Sequence, residues 1–157
     1  MSRYKHTQVG WVMGLILFLI GVVILITAIS NKEYGHLKGN LLLGAFFLFS
    51  ILLLFNSLTA VVSNEHVKVY FGSGLISKTI PIEQIQNCTV VRKGFVLGWG
   101  IRIGRGYTLW NVSGVDSVEL TLENKKRKFR IGTDKPEELC DAITSVIKER
   151  LHSTKED

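Results

Sequence analysis

Two cysteines, Cys88 and Cys140, and four histidines, His6, His36, His66 and His152, are the side chains best suited to metal or redox chemistry in this sequence. Their spacing supports neither. The cysteines stand alone, outside any CxxC or CxxH pattern, and the histidines show no HxxxH or HxH spacing that would turn two imidazoles toward one ion. Gly104-Arg105-Gly106 lacks the following Gly and Lys-Ser/Thr with which a phosphate loop cradles its ligand. No GxSxG elbow presents a nucleophilic serine. Asp116 and Glu119 flank a turn and a strand and read as surface carboxylates rather than an acid–base pair. The expectation is a non-enzymatic protein with no catalytic residue, metal or cofactor. Two isolated thiols fit a reduced compartment, with a single Cys88–Cys140 bridge left open.

Two groups of residues suggest binding instead. Trp99, Arg102, Arg105, Tyr107 and Trp110 gather around a glycine-rich segment from Gly98 to Gly106. Aromatic rings beside arginines suit an interfacial or peptide-binding patch; the competing reading makes Trp99 and Trp110 core or edge residues. Lys125, Lys126, Arg127, Lys128 and Arg130 form the densest basic run, a candidate contact for anionic lipid headgroups at about 1 kcal/mol per residue near a surface. The competing reading, which we favour, is a solvated strand face paired to Glu119 and Glu123.

Charge and hydropathy are segregated along the chain. The protein has 157 residues and a formal net charge of +6. Up to Val62 there are four Lys/Arg and one acid, and beyond it fifteen Lys/Arg and twelve acids, so each part carries +3. That mild bias supports solubility and weak attraction to anionic surfaces, and it argues against nucleic acid as a partner. Val9 to Ser30 is a run of 22 residues without a charge. As a helix it would extend about 33 Å, against about 30 Å of hydrocarbon in a bilayer. Leu41 to Leu58 is a second uncharged run, and the mostly polar Asn31 to Asn40 lies between them. The expectation is a transmembrane hairpin over 1–58, with helices at about 9–30 and 41–58. It makes the protein a multi-pass cell-membrane protein with the lipid bilayer as a partner. A cleaved signal peptide is disfavoured because the first run exceeds the usual 7–15 apolar residues. Gly10 and Gly14 have the small-xxx-small spacing that permits close helix approach.

From Thr59 onward the pattern changes to the alternation of strands. Strands are expected at about 59–62, 67–71, 75–82, 88–93, 100–103, 107–112, 117–123 and 126–132, separated by Gly-, Asn- and Ser-rich breaks. A two-residue turn at Asn124-Lys125 pairs Leu120 with Phe129, Glu119 with Arg130 and Val118 with Ile131, so apolar residues meet apolar ones and acids meet bases. Asp134 can cap a final amphipathic helix with Pro136 in its first turn. Leu139, Ile143, Val146, Ile147 and Leu151 form its apolar stripe. The expected architecture is a membrane α-helical hairpin followed by a β-rich roll or barrel of antiparallel strands over 59–152, capped by that helix, with a disordered tail at 153–157.

Several short segments resemble a bacterial family of pleckstrin-homology-like (PH-like) domains in its membrane-tethered form. They are Asn64-Glu65, Phe71 to Lys78, Ile80 to Ile85, Gly98-Trp99-Gly100-Ile101-Arg102, Tyr107 to Gly114, Val118-Glu119-Leu120, Ile131 to Asp134 and Pro136 to Leu139. The resemblance implies a PH-like fold. It also implies a setting in envelope stress or bacteriocin immunity. With reduced thiols and no secretory logic, both termini are expected in the cytoplasm, and the expected function is a module at the cytoplasmic leaflet that binds a protein or peptide partner or forms a homo-oligomer. An accessory subunit of a membrane transporter or enzyme complex is the alternative. The loop Ser63-Asn64-Glu65-His66 lacks the basic residues with which eukaryotic PH domains bind phosphoinositides, so that ligand is not expected.

Overall fold

The computed structural model describes residues 2–30, 35–92, 99–123 and 125–156, with the side chains of 12–13, 35–38 and 152–156 left undescribed. The β fold begins earlier than the alternation suggests. Ser2–Val9 forms strand β1, which pairs antiparallel with β2 (Ser57–Ser63), Thr7 opposite Thr59 and Val9 opposite Ser57. Between these neighbours the chain makes a helical excursion, α1 (Trp11–Ser30) and α2 (Gly35–Phe55), which pack on one another. The hairpin is therefore an insertion between two adjacent strands and not a segment ahead of the β domain.

β3 (His66–Phe71) and β4 (Ile76–Pro81) complete a four-stranded sheet in the order β1-β2-β3-β4. A short 3-10 turn, Ile82–Gln84, leads into β5 (Ile85–Arg92) of a second sheet. That sheet adds β6 (Gly100–Ile103), β7 (Tyr107–Asn111), β8 (Asp116–Leu122) and β9 (Lys128–Gly132) in the order β5-β8-β9-β7-β6. The β8–β9 pairing sets Val118 against Ile131, Glu119 against Arg130 and Leu120 against Phe129, the register that the alternation of apolar and charged residues demands. β7 and β9 run parallel. This corrects the wholly antiparallel roll, because β8 carries the chain away from β7 and back before β9 docks beside it.

One core joins the sheets and α3 (Pro136–Glu156). Val62, Val67, Val69, Phe71, Leu120 and Ile131 face inward from the strands, while α3 contributes Leu139, Ile143 and Val146 at helical spacing. Each such side chain contributes about 1.5–3 kcal/mol relative to exposure. Ion pairs tie α3 down around its rim: Arg92 with Glu137, Arg150 with Glu83, and Arg3 of β1 with Glu149. Asp134 does not cap the helix. Its carboxylate meets His6 of β1, and the Thr133 hydroxyl accepts from the Lys135 N–H instead. The helix continues to Glu156, through most of the tail expected to lack structure.

The expected membrane hairpin requires correction. Among the described residues, no helix is long and apolar enough to cross a membrane, which overturns two transmembrane spans and with them a multi-pass cell-membrane location. The strands account for part of the difference. Val9 belongs to β1 and Leu58 to β2, so both apolar runs read from the sequence include strand residues. Of the second run only 41–55 is helical, about 22 Å at 1.5 Å per residue, short of the roughly 30 Å of a hydrocarbon core. α2 gains its remaining length at the other end from Gly35–Asn40, a segment containing His36 and Lys38.

Candidate functional site

The first candidate feature is the root of the helical hairpin. The Gly10 N–H donates to the Asn56 carbonyl at 2.8 Å, closing the ends of α1 and α2 beside the β1–β2 pair. A side chain at Gly10 would meet the Val112 carbonyl, and one at Gly14 would meet the Asn56 side-chain oxygen, each at 2.9 Å. These two glycines thus serve close packing at the root within one chain, which supplies a use for the small-xxx-small spacing. Gly72 holds a positive φ of 43°, and a Cβ there would lie 2.6 Å from the Leu53 carbonyl. The last turn of α2 accordingly rests on bare backbone in the β3–β4 turn. Phe55 completes the root, its ring 5.1 Å from Phe71 and 5.6 Å from Trp99.

The structure separates the five residues of the aromatic–arginine candidate. Trp99 is half-buried and donates its indole N–H to the Phe55 carbonyl at 3.1 Å, so it fastens the β body to the end of α2. Trp110 is buried between Phe71 and Phe129, at ring distances of 5.1 and 5.7 Å. Tyr107 is half-buried, with the Arg130 guanidinium 3.9 Å from its ring centroid, a cation–π contact. Arg102 and Arg105 are exposed. The three aromatic residues therefore hold the fold together, and the two arginines remain as surface cations. Gly98 lies outside the described residues.

The basic run divides in the same way. Glu119 is almost wholly buried on β8 and receives Lys128 Nζ at 2.6 Å and Arg130 Nε at 2.7 Å, one on each carboxylate oxygen. Burial alone would raise the Glu119 pKa; the hydrogen bonds and charges of Lys128 and Arg130 outweigh it and hold the carboxyl below its ordinary value. Lys128 and Arg130 thus spend their charge on a partner, while Lys125, Lys126 and Arg127 stand exposed at the tip of the β8–β9 hairpin. Asn124, the first residue of the expected turn, lies outside the described residues.

Elsewhere the polar chemistry is sparse. Among the described residues, no group of three or more His, Cys, Asp or Glu is placed to hold a metal ion. Cys88 on β5 and Cys140 on α3 are buried free thiols; burial pushes the Cys88 thiol up, and the neighbouring Cys140 adds to the effect. Tyr4 on β1 is raised to about 12, by burial first and then by the charges of Glu138 and Asp134. No family model matches the chain, and no curated protein is found to be similar to it.

The remaining feature is the surface of α1 and α2. Leu15, Phe18, Val23, Leu43, Phe46 and Phe47 are all exposed. Between the helices an apolar groove of about 300 Å³ runs past Leu17, Gly21, Leu25, Ala45, Phe49 and Leu52. Sequence reasoning finds this apolar character easily. It misses the root, because Gly10, Asn56, Gly72 and Trp99 are brought together only by the pairing of β1 with β2 and of β3 with its neighbours.

Proposed function

We propose that the protein is a non-enzymatic binding and scaffold module in which the β body holds the α1–α2 hairpin as a docking element. The carrying observation is that large apolar side chains are exposed on successive positions around both helices, while most of those on the strands, Val62, Val67, Val69, Phe71, Leu120 and Ile131 among them, are buried in the core. A helix that is apolar all round is covered in its working state, and an exposed apolar surface of this extent marks an interaction site. The root supports the same reading. Gly10, Asn56, Phe55 and Trp99 fix the hairpin to two sheets, so a partner gripping the helices also positions the body. The expected protein partner, second copy or larger complex would each supply the missing cover.

Labelling tests this directly. Phe47→Cys in the full-length chain should resist a water-borne maleimide in cell extract and react only after denaturation, whereas Ser73→Cys in the exposed β3–β4 turn should react at once. The native thiols are buried and contribute little background. Equal rapid labelling at both positions would show the hairpin bare in water and overturn the reading. A cross-linker at position 47 then identifies the cover: adducts to another polypeptide or a second copy assign it to protein, and adducts to lipid alone assign it to lipid. The setting of tolerance to membrane-active peptides belongs to the same proposal and is tested by survival of expressing cells under peptide challenge.

A further inference from the structure

We infer that the outer edge of β6 accepts an extended acidic peptide as an additional strand, a surface separate from the hairpin. β6 ends the order β5-β8-β9-β7-β6 and, among the described residues, pairs with β7 alone. Among the described residues, its other side presents unpaired backbone donors and acceptors, the template used in strand addition. In register Ile101 lies opposite Trp110 and Ile103 opposite Thr108, so both isoleucines stand on the face that carries the core. They are nevertheless 43% and 71% exposed, an apolar rim that continues the inner face past the last strand.

Arg102 projects to the opposite face, and Arg105 follows in the β6–β7 turn. Both are exposed, and among the described residues neither lies within ion-pair distance of an acid. An alternating peptide placed beside β6 would set apolar side chains along Ile101 and Ile103 and carboxylates along Arg102 and Arg105. A second copy is a poorer occupant, because it would double the cations along one seam. The other edges lack this combination: β1 exposes polar Arg3, Lys5 and Thr7, and its Arg3 is already paired with Glu149. β4 exposes Ser77, Lys78 and Thr79 without an apolar rim, and β5 has α3 packed against it.

The test uses the full-length chain and a fluorescein-labelled peptide of alternating glutamate and valine, followed by fluorescence anisotropy at low salt. Binding is expected, and Arg102→Glu combined with Arg105→Glu should weaken it about tenfold. Lys68→Glu combined with Lys78→Glu, on β3 and β4 of the other sheet, should leave it unchanged. Amide exchange on the unmutated protein should show peptide-dependent protection confined to 100–103. Absence of binding, equal weakening by both pairs, or protection elsewhere would each overturn the inference.

Discussion

Phe71, Ile131 and Ile143 in the β body are 1%, 0% and 0% exposed, whereas Leu43, Phe46 and Phe47 on α2 are 69%, 70% and 64% exposed. The two regions are built from similar side chains, and their periodicity separates them. In the strands apolar residues recur at every second position, so one face can close against the opposite sheet and α3. In α1 and α2 they occupy successive positions, so packing the helices together hides one side of each and leaves the rest outward. Stability therefore resides in the body and at the root, and the exposed helical surface is available for interaction.

Substitutions can break this contrast, beginning with the core. Phe71→Ala removes a ring in contact with Phe55 and Trp110 and should cost about 3–5 kcal/mol in chemical denaturation. Phe47→Ser, on the exposed side of α2, should change the unfolding of the β body by less than about 0.5 kcal/mol. A comparable loss from both would remove the distinction between the regions.

The root should respond next. Gly72→Ala forces a Cβ into a left-handed position facing the Leu53 and Leu54 carbonyls and should cost about 1–3 kcal/mol. Gly44→Ala, with open space around the new methyl, should be neutral or slightly stabilising. Similar effects at the two glycines would mean that the last turn of α2 does not rest on the β3–β4 turn.

Acid should then probe the buried carboxylate. The folded-state pKa of Glu119 is lowered, so its ion pairs stabilise fully above the ordinary value of 4.5 and are lost as pH falls through the depressed one. Glu119→Gln should lower Tm at neutral pH, by about 1–3 kcal/mol of stability, and flatten the fall of Tm on acidification. An unchanged acid profile would show that the cluster of Lys128, Arg130 and Glu119 carries no net stabilisation. A smaller loss, about 1 kcal/mol in chemical denaturation, is expected at Trp99→Phe, which keeps the ring against Phe55 and loses the indole hydrogen bond to its carbonyl.

Parts of this organisation are legible in the sequence, and locality decides which. The β8–β9 register can be read residue by residue, because Val118, Leu120, Phe129 and Ile131 are interleaved with charges across one tight turn. α3 is equally plain from its stripe and from Pro136. β1 escapes notice because Arg3, Lys5, His6, Thr7 and Gln8 are polar, and its strand character depends on pairing with residues more than forty positions away. The same non-local pairing takes Val9 and Leu58 out of the apolar runs, which is part of why two membrane spans are read there. The parallel β7–β9 contact has no local signature at all.

For the candidate site the difficulty is similar. Trp99, Tyr107 and Trp110 have the composition of a binding patch, but whether an aromatic faces solvent or core is set by strands far away in the chain. Only Arg102 and Arg105 of that group remain on the surface. Residues at the hairpin root, Gly10, Asn56 and Gly72, carry no chemical signature that singles them out before the fold brings them together.

The β body closes a core of its own, whereas the α1–α2 surface lacks a cover. Size measurement of the full-length chain in detergent-free buffer, without added partner, tests this contrast most directly. The chain should leave the monomer state, by self-association or loss from solution. A dispersed monomer of 17.6 kDa with α1 and α2 intact would contradict it.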